Sequence, residues 1–313
     1  VTLNPQTQQI MDLLDSRGGK PVSESTVAEA RAATWDWLEF QGDPEPVARV
    51  WDTYIAGPTA ELHVRVYTPA GSGPFPCLIF FHGGGWTVGN LEISDAPNRS
   101  LTNATGCVVV AVNYQTAPEH PYPAALEDCS ATVHWVLDHA AALDVDPRRV
   151  GVGGDSAGGN LAAAVTLRAR GAGDTRLAFQ LLIYPAVDPE MDYPSARENA
   201  EGYGLTTEAM QWFWNHYVPD ARDRRDPLAA PIHAVSLEGL PPAIVITVEH
   251  DPLRDEGERY AQLLAHAGVP VHHHRYPGTV HGILWMAGAV TVDFHRLMID
   301  LAADLATILS AHR

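Results

Sequence analysis

The sequence predicts an α/β protein: a mainly parallel central sheet flanked by helices and covered by a helical cap. Three observations predict it. From about residue 76 to the end, apolar runs of strand length alternate with helical patterns. The runs at 76–81, 150–152 and 242–248 lack polar alternation, as strands covered on both faces do. Two segments, about 1–45 and 188–235, break the alternation with helical pieces that cannot easily join the sheet. Of the 313 residues, 46% are hydrophobic, ample for such a core.

Taken in order, residues 1–45 read as the N-terminal part of the cap, rich in Ala and Glu with Trp35 and Trp37. Residues 46–187 are the first part of the core. They contain the strand at 76–81, and the strand at 150–152 with an alanine-rich helix after it. Residues 188–235 are the second part of the cap, built around Met210-Gln211-Trp212-Phe213-Trp214-Asn215-His216-Tyr217. Residues 236–313 complete the core with a strand at 242–248, a helix at 254–267, a short strand at 269–276 and a final helix. In that last helix Phe294, Leu297, Met298, Leu301, Leu305 and Ile308 fall on one stripe. There is no internal repeat and no low-complexity tract.

The chemistry is concentrated in the turns after the strands. Gly154-Asp155-Ser156-Ala157-Gly158 spells Gly-x-Ser-x-Gly between a strand and a helix, where a strained turn lifts a serine Oγ above the sheet. Only small neighbours fit around that turn. The strand at 76–81 runs into His82-Gly83-Gly84-Gly85-Trp86. A glycine run there lets main-chain N–H groups point at one spot, as donors to a developing oxyanion must. The N–H of Ala157, next to the serine, is the expected further donor.

A serine nucleophile needs a base, and the base needs an orienting carboxylate. Asp251 sits just past the strand at 242–248, and His281-Gly282 lies in the loop after the last strand. The helix and strand between them return the chain to the same edge. Glu249 also stands at the strand end, whereas Asp255 and Glu256 read as first-turn helix acids facing the dipole. His272, His273 and His274 do not make a metal site, because neighbouring strand residues point to opposite faces.

These motifs are similar to those of the hormone-sensitive-lipase group of α/β-hydrolases, the bacterial family IV esterases. The resemblance rests on His82 to Trp86, on Asn113-Tyr114 with Ala117-Pro118-Glu119-His120-Pro121-Tyr122-Pro123-Ala124-Ala125, and on Gly153 to Asn160. It continues through Met210 to Tyr217, Asp251-Pro252-Leu253-Arg254-Asp255-Glu256, and His281-Gly282, in the family's order and over nearly the whole chain. It implies an α/β-hydrolase fold, with Ser156 as nucleophile, His281 as general base and acid, and Asp251 orienting the histidine. It implies an oxyanion hole from the N–H groups of Gly84, Gly85 and Ala157, shaped by Gly83, with His82 bracing the loop. Substrate contacts are expected from the cap, at Tyr203, Leu205 and the 210–217 helix, Trp212 included. Trp86 and Ile283 are further candidates. Ile283 stands where many relatives carry Phe, which alters packing beside the histidine.

The expected activity is hydrolysis of short- to medium-chain carboxylic esters through an acyl-enzyme, with no metal or organic cofactor. The same triad would serve an amidase or a deacetylase. A non-catalytic ligand receptor on this fold is disfavoured, because receptors of that kind lack a working triad histidine. A net charge of −18 and a pI near 5.1 argue against nucleic acid and against anionic membranes as partners. Cys77, Cys107 and Cys129 lack metal-like spacing and read as buried thiols, two in strands and one in a helix. No secretory leader, membrane span or lipidation motif is apparent, so a cytoplasmic enzyme is expected. The resemblance also implies a homodimer paired through the last strand and final helix.

Overall fold

The computed structural model describes residues 2–310. Three helices open the chain: α1 (Pro5–Arg17), α2 (Val27–Ala33) and α3 (Leu38–Gln41). Helix α2 starts on a capping box, in which Thr26 Oγ1 accepts the Glu29 N–H and the Glu29 carboxylate accepts the Thr26 N–H. The sheet follows: β1 (Arg49–Ala56), β2 (Glu61–Thr68), β3 (Phe75–Phe81), β4 (Val108–Val112), β5 (Val145–Asp155), β6 (Gln180–Ile183), β7 (Ala243–His250) and β8 (Val271–Val280). Its spatial order is β1-β2-β4-β3-β5-β6-β7-β8. Strand β2 pairs antiparallel with both β1 and β4, and β4, β3, β5, β6, β7 and β8 are parallel.

Helices α4 (Asp95–Thr105), α5 (Ala124–Asp138), α6 (Ala157–Gly171) and α9 (Arg254–His266) make the crossovers that parallel pairing requires. Between β6 and β7 lie α7 (Pro194–Glu198) and α8 (Thr207–Tyr217), and α10 (Thr291–Ser310) closes the described chain. The mainly parallel sheet expected from the buried apolar runs is therefore present. The β1–β2 hairpin ahead of residue 76 was not expected. Strand β1 is an edge strand whose exposed positions are interspersed with half-buried ones, so it has no continuous apolar run to announce it.

Side chains alternate across the sheet with the period of two. Cys77, Ile79 and Phe81 of β3 pack on the face covered by α5, α6 and α9, while Leu78 and Phe80 pack on the face covered by α4 and α10. The predicted α10 stripe is buried along its length. The same alternation separates the three histidines of β8: His272 and His274 both reach Asp304 of α10, and His273 reaches Thr247 on β7. All three cysteines are free and buried, with Cys107 just ahead of β4 rather than inside it. Strand β8 runs to Val280, past its expected end at 276, and delivers His281 directly from the sheet.

Candidate active site

The parallel strands β3, β5, β7 and β8 all end at the same edge, and the turn after each carries one part of the site. Ser156 stands between β5 and α6 with φ 55° and ψ −118°, a conformation non-glycine residues seldom adopt. Its N–H donates to the Ile183 carbonyl (2.8 Å), which holds the turn against β6. Glycine is required beside it: a Cβ on Gly158 would overlap the Phe81 carbonyl.

The three sequence-distant groups meet. His281 Nε2 lies 3.0 Å from Ser156 Oγ, and His281 Nδ1 lies 2.7 Å from Asp251 Oδ2. A carboxylate accepts, so Nδ1 carries the proton and Nε2 is left to accept the serine hydroxyl. Asp251 is fully buried, and its other oxygen accepts the Leu253 N–H at 2.8 Å. Glu249 is directed elsewhere, to the Gly278 N–H at 2.8 Å. Asp255 accepts from the Ser195 N–H and from Arg254. Glu256 stands in the first turn of α9 as read from the sequence, and it is also fully buried and accepts the Val187 and Asp188 N–H groups, so it braces the chain after β6.

The glycine loop after β3 faces Ser156. Among the described residues, neither the Gly84 nor the Gly85 N–H is donated to another protein group. Ala157 is the first residue of α6, where an N–H has no partner within the helix. Gly83 is different, because its N–H is taken by Asp155 Oδ1 (2.8 Å), so it shapes the loop without being free to bind an oxyanion. His82 lies under the loop, with Nδ1–H donating to the Gly83 carbonyl (2.7 Å) and its ring stacked on Tyr114. Burial pulls its imidazole down to about 4, so it stays neutral at physiological pH.

Asp155 is a functional residue the sequence reading passed over. It is buried, and its Oδ2 accepts from Trp285 Nε1 at 2.8 Å. One carboxylate thus joins the glycine loop, the serine turn and the turn after His281. Burial raises it to about 6, and the bonds from Gly83 and Trp285 oppose that rise. Its place beside the serine in the pentapeptide was the available signal.

A cavity of about 210 Å³ opens over Ser156 and His281. Its walls come from both segments that broke the sheet alternation. Ala30 and Trp37 contribute from the N-terminal side, and Leu205, Met210 and Phe213 from the second segment. Of the candidates Trp86, Tyr203, Leu205, Trp212 and Ile283, Leu205 lines the cavity. The others do not, for packing reasons. Trp86 is buried, stacked on Tyr217 with centroids 4.3 Å apart. Tyr203 stacks on His250 beside the Ile10–Phe40 cluster. Trp212 lies edge-on to Phe213, which is the ring that reaches the cavity. Ile283 is buried in the core face covered by α10. Trp285, two residues further on, lines the cavity instead.

Comparison with known proteins agrees with this fold. The alpha/beta hydrolase fold family matches residues 78–285. Esterase LipI of Mycobacterium tuberculosis is 41% identical over 78% of each chain. The chain belongs to the hormone-sensitive-lipase-like carboxylesterases of the α/β-hydrolase superfamily. Another family member, carboxylic ester hydrolase LipN of the same organism, is 38% identical over 98% of this chain and 84% of its own length. Among solved structures, the family's ester-hydrolase EH1AB1 from the metagenome of Lake Arreo superposes with a TM-score of 0.94. That protein is 40% identical, over 99% of this chain and all of its own, and was determined with a bipyridine phosphonate derivative. Among the described residues, no helix is long and apolar enough to cross a membrane.

Proposed function

We propose that this chain is a serine carboxylesterase that hydrolyses short- to medium-chain esters through an acyl-enzyme. The hydrogen-bonded series Asp251–His281–Ser156, at 2.7 and 3.0 Å, carries this reading. The esterase names of its relatives support it.

His281 Nε2 takes the Ser156 proton as Oγ bonds to the ester carbonyl carbon, and the carbonyl electron pair moves to oxygen. The N–H groups of Gly84, Gly85 and Ala157 receive that oxyanion. One such donor is typically worth about 3 kcal/mol, because it strengthens as charge develops. The imidazolium, held by Asp251, then gives its proton to the alkoxide oxygen as the C–O bond breaks. A water delivers its proton to the same nitrogen and attacks the acyl carbon. Ser156 leaves with that proton, freeing the acid.

The cavity supports the size limit. At about 210 Å³ it falls below the roughly 300–1,000 Å³ of sites for drug-sized ligands. Its apolar side chains suit an alkyl group. The test is a panel of p-nitrophenyl esters from acetyl to palmitoyl, with anilides of the same acids, run beside Ser156→Ala. Turnover that peaks at six carbons or fewer and vanishes in the variant is expected. A peak at long-chain esters, or turnover that survives in Ser156→Ala, would overturn the reading.

A further inference from the structure

The segment from Ala117 to Ala125 has no part in the chemistry described so far, although it carries much of the family resemblance. Its beginning is a junction. The Ala117 N–H donates to the Trp86 carbonyl at 2.9 Å, just past the oxyanion glycines. The Tyr122 N–H donates to the Tyr217 carbonyl (2.8 Å) at the end of α8, and Tyr122 Oη donates to Asp226 at 2.8 Å. Glu119 forms a two-pronged ion pair with Arg31 of α2, at 2.6 and 2.8 Å. The turn therefore touches the glycine loop and both segments that wall the cavity.

Arg31 draws the junction together. Its Nε donates to the Thr87 carbonyl at 2.9 Å, and its Nη2 reaches the Ala117 carbonyl and Thr116 Oγ1 at 3.1 Å. Thr87 belongs to the turn that presents the donors: the Thr87 and Val88 N–H groups donate to the Gly84 carbonyl, and Thr87 Oγ1 to that of Gly85. On the other side, Arg31 follows Ala30, which lines the cavity. A planar guanidinium can satisfy a carboxylate and several carbonyls at fixed angles, which an ammonium cannot. The Arg31 hydrogen bonds hold the Glu119 carboxyl down at about 2, so Glu119 stays ionised throughout the neutral range.

We infer that Arg31, seated on the turn at 116–122, is a positioning residue that sets the oxyanion loop and the cavity wall in register with each other. The inference rests on the acyl-transfer reading for its kinetic consequence and on the contacts alone for its mechanical one. Loss of the clamp lets the Gly84–Gly85 donors drift from where oxyanion charge develops. Donors of that kind act mainly in the transition state, so the loss falls on kcat and leaves KM little changed. A residue that merely kept the cavity wall folded would raise KM and leave kcat in place.

The experiment compares wild type with Arg31→Ala, Arg31→Lys and Glu119→Gln. Steady-state kinetics use p-nitrophenyl acetate and hexanoate, and deuterium uptake is followed in residues 27–37 and 83–89. Arg31→Ala is expected to lower kcat about tenfold on both esters, with KM within threefold. Uptake should rise in both segments together, and Arg31→Lys should not restore kcat. Glu119→Gln should show the same pattern more weakly, and it decides the matter should the Arg31 variants fail to fold. A kcat within twofold of wild type overturns the inference, as does increased uptake confined to 27–37. Should the wild type turn over neither ester, the acyl-transfer reading fails, and the paired uptake still decides the clamp.

Discussion

Replacing Trp285 by Phe keeps an aromatic ring in the cavity wall and removes one hydrogen bond, the 2.8 Å contact from Nε1 to Asp155 Oδ2. The effect of that loss depends on pH with a definite sign. Burial raises the Asp155 carboxyl to about 6 in the fold from an ordinary 3.8. The folded chain therefore holds this proton more tightly than the unfolded chain. Its contribution to stability is most favourable below pH 3.8 and declines as the pH rises through 6, at a total cost of about 3 kcal/mol. The indole N–H bonds the ionised form, and a hydrogen bond to a charged group is worth about 1.5–3 kcal/mol. Its loss therefore lifts the carboxyl further above its ordinary range, by about 1.4 kcal/mol for each tenfold change in proton affinity.

Trp285→Phe should accordingly cost little beyond ring repacking at pH 5, where Asp155 is mostly protonated in both proteins. At pH 8.5 it should cost about 2 kcal/mol more, because the carboxylate is then buried with one oxygen unpartnered. Urea unfolding of the two proteins at both pH values measures this directly. Equal destabilisation at pH 5 and pH 8.5, or a larger effect at pH 5, would show that Asp155 does not carry its charge against Trp285 as described.

Three further substitutions test the site itself. Asp251→Asn should reduce kcat on the order of 10⁴-fold with unchanged circular dichroism, since an amide N–H facing Nδ1 forces the proton onto Nε2 and removes the base; activity within tenfold of wild type would refute that role. Leu205→Ala should raise the hexanoate-to-acetate ratio of kcat/KM by about threefold or more, because Leu205 lines the cavity. Tyr203→Ala should leave the ratio unchanged, because that ring packs on His250. Identical acyl profiles for wild type and Leu205→Ala would remove Leu205 from the acyl site.

Much of this site was legible in short stretches of sequence. Gly154 to Gly158 encodes its own turn: small residues and a strained serine after an apolar strand have few other solutions. The same holds for the glycines after β3 and for His281 after β8, whose position beyond a strand end is a local property. Other features left weaker traces. Strand β1 is an edge strand of mixed exposure with no continuous apolar run. Asp155 is unremarkable until Gly83 and Trp285, far away along the chain, are seen to share it. Among the aromatic residues, Trp86, Trp212 and Phe213 look equally able to meet a substrate. Only packing turns Phe213 to the cavity and buries Trp86 on Tyr217.

The sequence by itself therefore determined the α/β class and the strand-end turns, and it named the serine, imidazole and carboxylate that the fold brings within hydrogen-bond distance, because each stands in a turn set by backbone conformation and apolar period within a few neighbouring residues. The tertiary structure alone decided which side chains wall the cavity, which acids brace loops, and how the first helices meet the glycine turn. Those outcomes depend on which distant surfaces exclude water from one another, and no local stretch of chain contains that information.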